Sequence, residues 1–191
     1  MLITQTGNTS EWQMLVNEAA QLANTRLDEE IESYLVFTLM RFMRRSDMVS
    51  RILALDYLAA FDCNESQKGE SLRDVGDHCL LFSGLFPKIA EKRRVKVSYF
   101  VDLGRAAYQN VADNLKQLSG LYNHLAYDFV AAMDTLQAIS RISNKDMGLT
   151  ALQSFELVQE CNSEVARQYF AEQESGHKIF TLKNNESKLK H

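Results

Sequence analysis

VSYFVDLGRAAYQNVADNLKQLSGLYNHLAYDFVAAMDTLQAI (97–139) decides the fold class. Val97, Val101, Gly104, Tyr108, Val111, Leu115 and Leu118 recur at alternating steps of 4 and 3, a heptad seam. Ser119-Gly120 interrupts the pattern, and Leu125, Phe129, Ala132, Leu136 and Ile139 resume it. Two long helices joined by so short a break predict an antiparallel hairpin. Gly104 stands in mid-seam, where glycine costs about 1 kcal/mol against alanine. A neighbouring helix is expected to cross closely there, in the room left by the missing side chain.

Immediately upstream lies SLRDVGDHCLLFSGLFPKIAEKRRVK (71–96). Ser71 with Asp74 is a helix-start signal, and Leu72, Val75, Cys79, Phe82 and Phe86 repeat at helical spacing. Gly84 and Pro87 end that helix, because proline lacks the N–H that the preceding turn would use. The polar, Gly-containing residues 62–70 read as a loop.

Further upstream, Ser10 with Gln13 reads as a capping box opening a helix to Arg26, striped by Trp12, Leu15, Ala19 and Leu22. Asp28 opens a second helix whose acidic first turn and basic last turn (Arg41, Arg44, Arg45) suit the helix dipole. Ile31, Leu35, Thr38, Leu39 and Phe42 mark its inner side, and Val36, Phe37 and Met40 make much of the circumference apolar, which predicts a central position. Ser46-Asp47 ends it and caps a third helix with an inner stripe of Ile52, Leu55, Leu58 and Ala59.

Downstream, residues 143–148 read as a turn and Thr150 with Gln153 as another capping box, for a helix running to Phe170. No stretch sustains strand-like alternation; VKVSYFV (95–101) comes nearest, and the heptad seam through it favours helix. The expectation is an all-α chain: a single-domain, irregular helical bundle of six or seven helices over residues 1–172. It packs around residues 31–61 and the 97–139 hairpin, with a polar, flexible tail at 173–191.

A length of 191 residues suits one domain with a substantial core. A net charge of -4 disfavours nucleic acid as the main partner, since binding by counterion release needs surplus Lys and Arg. Three cysteines without a CxxC pair speak against a disulfide framework or zinc knuckle. Cys79 and Cys161 read as small core residues, and reduced thiols suit a cytoplasmic location. The apolar stretch 34–61 carries too many charges for a membrane span, and the N-terminus has no signal-peptide pattern.

Two groups of residues are candidates for function. Asp74 and His78 lie four apart on one helix face, with Asp77 beside them, so a carboxylate can orient the imidazole. Tyr99, Arg105 and Tyr108 could close a small ligand pocket against that helix. Against this stands an ordinary helical ion pair, worth a few tenths of a kcal/mol, and simple packing for the tyrosines. Lys88, Lys92, Arg93, Arg94 and Lys96 form a basic run that can meet an anionic partner or serve as a solvated connector. His124 and Asp128 repeat the i, i+4 arrangement. A di-iron bundle needs Glu-x-x-His on two helices, and Glu174-x-x-His177 is the one such match. No metal set, phosphate loop, HExxH or nucleophile elbow stands out, and no cofactor is indicated.

LRDVGDHCLLFSGLFP (72–87) and VSYFVDLGRAAY (97–108), joined by the basic connector, together resemble a family of uncharacterised proteobacterial proteins. The resemblance covers residues 72–108 and implies that this hairpin is a hallmark of the family. It carries no activity, cofactor or catalytic residue with it.

The reading that follows is a cytoplasmic protein-interaction or regulatory module without catalysis, partnered by itself as a homodimer or by another protein. The rival is a small-molecule or metal-binding protein with its site between helices near Asp74, His78 and Tyr108.

Overall fold

The computed structural model describes residues 9–42, 52–144 and 149–172, and every regular element among them is helical. In chain order these are α1 (Thr9–Leu22), α2 (Glu29–Phe42), α3 (Leu53–Ala59), α4 (Glu65–Gly84), α5 (Lys88–Arg93), α6 (Val97–Asn114), α7 (Ser119–Tyr127), α8 (Phe129–Asn144) and α9 (Ala151–Cys161). A tenth, α10, covers 164–172. No described helix is long and apolar enough to cross a membrane. The Ser46-Asp47 cap, the 173–191 tail and Glu174-x-x-His177 lie outside the described residues.

The helices outnumber the expected six or seven because the second half of the hairpin and the 150–170 segment are each divided, and the basic connector contains a helix of its own, α5; the bounds of others are moved. The 97–118 seam ends as an α-helix at Asn114, continues as a 3₁₀ turn over Lys116–Leu118, and resumes at Ser119. Gly120 therefore lies inside α7 and breaks nothing. The second half of the hairpin is two helices, divided at Asp128. Residues 65–70 are no loop: Asn64 accepts a hydrogen bond from the Gln67 backbone N–H (3.0 Å) and starts α4 seven residues before Ser71. The polar residues there are the solvent side of a helix.

The helix expected to run from 150 to 170 breaks at Asn162, whose φ of 55° is left-handed. Ser163 N–H then bonds six residues back to Leu157 O (3.1 Å), and Asn162 N–H bonds the same oxygen, closing the end of α9. At the head of α9 the capping box is present as expected. Thr150 Oγ1 accepts from Gln153 N–H (3.2 Å), and Gln153 Oε1 accepts from Thr150 N–H (3.0 Å).

The bundle is centred on α4 rather than on residues 31–61. Every residue from Val75 to Gly84 is buried, so this half of the helix is wrapped on all sides. Its most extensive partner is α6, with α8 and α3 on other flanks. The α4–α6 crossing is close because glycines face it from both helices. A Cβ on Gly76 would come within 2.5 Å of the Tyr108 ring, and one on Gly104 within 2.9 Å of Cys79 Cβ and 2.5 Å of the Phe129 ring. The close crossing expected at Gly104 is the observed one. The seam residues Val97, Val101, Tyr108 and Val111 are wholly buried within the chain.

Helix α3 is turned the other way from expectation. Leu53 and Ala60, seven apart, are the buried side, and Asn110 of α6 donates from Nδ2 to the Tyr57 hydroxyl between them (3.0 Å). The stripe assigned inward, Ile52, Leu55 and Leu58, is exposed. Because α3 is apolar around most of its circumference, periodicity offered two inner faces, and the Asn110–Tyr57 bond holds the second one against α4 and α6.

Side chains from neighbouring helices clamp several helix ends. Glu156 of α9 accepts from the Ser98 backbone N–H in the first turn of α6 (2.8 Å), and Glu160 accepts from Ser98 Oγ (2.7 Å). Gln153 Nε2 donates to Pro87 O (3.1 Å), fastening α9 to the turn after α4. Asp134 of α8 holds the start of α10, accepting from Ser163 Oγ (2.6 Å) and Glu164 N–H (2.8 Å).

The two glycines of the hairpin test this packing with opposite signs. G104A should destabilise the fold by about 1–2 kcal/mol, because overpacking of about 1–3 kcal/mol outweighs the gain in helix propensity. G120A meets no atom within 4 Å and should add a few tenths to about 1 kcal/mol. Urea unfolding of both variants checks the pair.

Candidate functional site

The most unusual side chain in the bundle is Asp77. It is a carboxylate on the fully wrapped half of α4, only 1% exposed. Leaving such a group without partners is costly, so its neighbours are decided by satisfaction of its oxygens. Oδ1 accepts from the hydroxyls of Tyr34 (2.6 Å) and Tyr108 (2.8 Å). Oδ2 is paired with Arg41 Nη2. One carboxylate thereby ties α2 and α6 to α4.

The surroundings keep the donors in their donating form. Burial pushes the Tyr34 hydroxyl well above its ordinary range, reinforced by Tyr108 and Tyr122 beside it. Burial likewise raises Tyr108, against a smaller opposing effect of the neighbouring Tyr34 hydroxyl. Tyr34, Tyr108 and Tyr122 form an aromatic triad with ring centroids 5.9–6.2 Å apart. Two of the contacts are edge-on, the arrangement that ring quadrupoles favour.

On the solvent side of this centre is a cleft of about 180 Å³ between α2, α4 and α7. Tyr34, Phe37, Thr38 and Arg41 line it from α2, Arg73 and Asp77 from α4, and Tyr122 from α7. Arg41 sits between two acids, with Nη1 3.6 Å from Asp74 and Nη2 on Asp77. Arg73 reaches Asp74 only at 3.9 Å, and its buried Nε has no hydrogen-bond partner.

Of the six side chains named from sequence, the structure brings Asp74, Asp77 and Tyr108 around Arg41 and the cleft. The other three point elsewhere. His78 is turned along its own helix, with Nδ1 2.5 Å from Asp74 O. That oxygen only accepts, so Nδ1 carries the proton. The ring stands edge-on to Phe82. Tyr99 packs on Phe100, and Arg105 lies near Cys161 of α9, where it opposes the burial that pushes that thiol up to about 12. Among the described residues, no three His, Cys, Asp or Glu side chains are placed to hold a metal ion.

Tyr34 and Arg41 were missed because the apolar residues of α2 drew the reading, and Thr38 was expected on the inner side of the helix but not at a site. Their spacing of 4 and 3 does mark a mixed polar and aromatic stripe, facing Arg73 and Asp77 at i, i+4 on α4.

The basic run is divided among several tasks. Lys96 pairs with Glu160, and Arg93 lies 5.0 Å over the Phe82 ring. Arg94 ends α5 in the left-handed region, with φ 56°. Lys88, Lys92, Arg94 and Lys96 are exposed.

A second surface is conspicuous for the opposite reason. On and just beyond α3, Ile52, Leu55, Leu58 and Phe61 are 61%, 59%, 63% and 43% exposed. Their uniform spacing of three residues falls about 60° short of a full turn at each step, so they follow a slanting ridge across the side opposite Leu53 and Ala60. Lys68 stands 4.4 Å over the Phe61 ring at its end.

Comparison of the chain with protein-family models, with curated proteins and with solved structures yields no significant match.

Two carboxylates give separable predictions. Replacing Asp77 with Ala leaves two buried hydroxyls and Arg41 without their acceptor. Urea unfolding should show a loss of about 3 kcal/mol, the low end for a broken buried pair because Arg41 is partly exposed.

Asp134 is different: burial pushes its carboxyl up to about 6, against the hydrogen bonds from Ser163, Glu164 and Val165. The folded chain then holds that proton more tightly than the unfolded chain, whose value lies near 3.8. Its contribution is most favourable below about pH 4 and declines up to about pH 6, by about 3 kcal/mol in all. In D134N that share of the pH dependence should be absent, as unfolding free energies of both proteins across pH 4–7 would reveal.

Proposed function

We propose that this protein is a non-catalytic interaction module that pairs with a second copy of itself through the ridge of α3. The observation that carries the reading is the exposure of Leu55 and Leu58 on α3 together with Ile52 before it and Phe61 after it, all on the side away from buried Leu53 and Ala60. Single exposed apolar residues are ordinary on a protein surface, whereas a contiguous row of four large ones marks an interaction site. The heptad seams, apart from Leu118 at the end of the first, are consumed inside the chain and leave α3 to provide the contact.

The energetics suit reversible pairing. A two-fold contact uses the same patch on both partners, so eight large apolar side chains would be covered. At about 1 kcal/mol each for side chains already partly buried, the gain is on the order of 10 kcal/mol. Lost rotational and translational freedom costs a comparable amount, about 4–15 kcal/mol. A weak, concentration-dependent dimer is the expected result. The regulatory role foreseen from sequence would then lie in what the paired module presents to other proteins.

A second reading, as a small-molecule binder, rests on the cleft at Arg41 and Arg73 and is independent of α3.

Sedimentation velocity over a wide concentration range tests the first reading. The wild-type chain should shift from monomer to dimer as concentration rises. L55Q/L58Q should stay monomeric with unchanged helical circular dichroism, since exposed substitutions alter stability by about 0.5 kcal/mol or less. A wild-type chain that remains monomeric throughout, or a double variant that dimerises equally well, would refute pairing through α3.

A further inference from the structure

We infer that the cleft between α2, α4 and α7 is a binding site for a small organic carboxylate with a compact apolar body. This site is separate from the α3 ridge and does not depend on pairing of the protein.

The charge of the ligand follows from which groups already have partners. Asp77 has Tyr34 and Tyr108 on one oxygen and Arg41 on the other. With both oxygens engaged it has little left to attract a cation. Arg73, on the same wall, is in the opposite condition. Its nearest carboxylate, Asp74, stands at 3.9 Å, beyond hydrogen-bond length, and its buried Nε has no acceptor. Arg73 lines the cleft with its terminal nitrogens outside hydrogen-bond reach of Asp74, and a carboxylate matches such a planar fork with two parallel bonds.

The body of the ligand follows from the walls. Tyr34 and Tyr122 form the inner side, and Phe37 stands at the cleft with 62% of its surface exposed. A phenyl ring left so open beside a cleft that carries two arginines is what a seated apolar group would cover. Thr38 adds one hydroxyl. The volume, about 180 Å³, equals that of roughly six water molecules, which limits the ligand to about the size of a single substituted ring.

Phosphate fits less well. Phosphate sites draw on backbone N–H groups at helix starts or in glycine-rich turns. Here Tyr34 to Arg41 and Arg73 to Asp77 lie within helices, where the backbone N–H groups serve the helix itself.

The test uses the full chain, with benzoate and cyclohexanecarboxylate as probes, benzamide as the uncharged counterpart and inorganic phosphate as the competing anion. Ligand-observed NMR titrations should show saturable, millimolar binding of at least one acid. Binding should be weakened about tenfold or more in benzamide and in R73Q, the scale of a lost charge-assisted bond. R73K should recover part of it, and K116Q, which lowers net charge by the same amount on an exposed turn, should bind like wild type. No saturable binding of either acid, equal binding of benzamide, or unchanged affinity in R73Q would overturn the inference. Tighter binding of phosphate than of both acids would overturn the carboxylate assignment. The comparison of acid with amide needs no variant, so it decides the matter even where R73Q loses stability.

Discussion

A charge placed where water cannot reach must be surrounded by donors, and Asp77 imposes that requirement on the centre of this bundle. Its helix is wrapped on all sides from Val75 to Gly84, so the donors can come only from neighbouring helices. Tyr34 and Arg41 supply them from α2 and Tyr108 from α6. Each donor reaches Asp77 only from a helix at one height and one rotation. A buried ion pair is poor evidence of added stability, because desolvation offsets much of the attraction. What it does impose here is register: sliding α2 or α6 by one turn would strand a carboxylate in the core.

The same locus explains the glycines. Tyr108 can bring its hydroxyl to Asp77 only if its ring passes over α4 one residue earlier, at Gly76, where a Cβ would lie 2.5 Å from it. Gly104, one turn before Tyr108, lets Cys79 and Phe129 close the layer behind. A costly polar group and two residues of poor helix propensity thus form one arrangement. The tyrosine triad fills the resulting space, and the cleft is what remains outside it, bounded by the groups that Asp77 does not use.

Away from this centre, helices are joined end to side. Asp134 closes the start of α10, Glu156 the start of α6, and Gln153 the turn at Pro87. These contacts satisfy backbone groups that every helix end leaves open. They also explain why so many short helices coexist in one bundle: an end capped by a neighbour's side chain does not need to be continued. Coverage is thinner at the surface of α3, where Ile52, Leu55, Leu58 and Phe61 stay open to solvent, and at Leu152 and Phe155 of α9.

Helical class, most helix-rich segments, the end of α4 at Gly84, the Thr150–Gln153 capping box and the close crossing at Gly104 were all legible in the sequence. They are local, set by spacing, caps and single residues without a side chain. Asp77 and Tyr108 were legible as candidates, but not as partners of each other, and His78 drew attention by chemistry that its own helix carbonyl absorbs. Tyr34, Arg41 and Arg73 were not found, because a site shared by three helices leaves only short, separated traces on each. The outward turn of α3 could not be read either: with apolar residues around most of its circumference, periodicity permits two inner faces. Tertiary structure decided between them through contacts from distant parts of the chain, such as that of Asn110 with Tyr57. Spacing along a helix states which residues share a face; which face meets which neighbour depends on where buried polar groups find their partners.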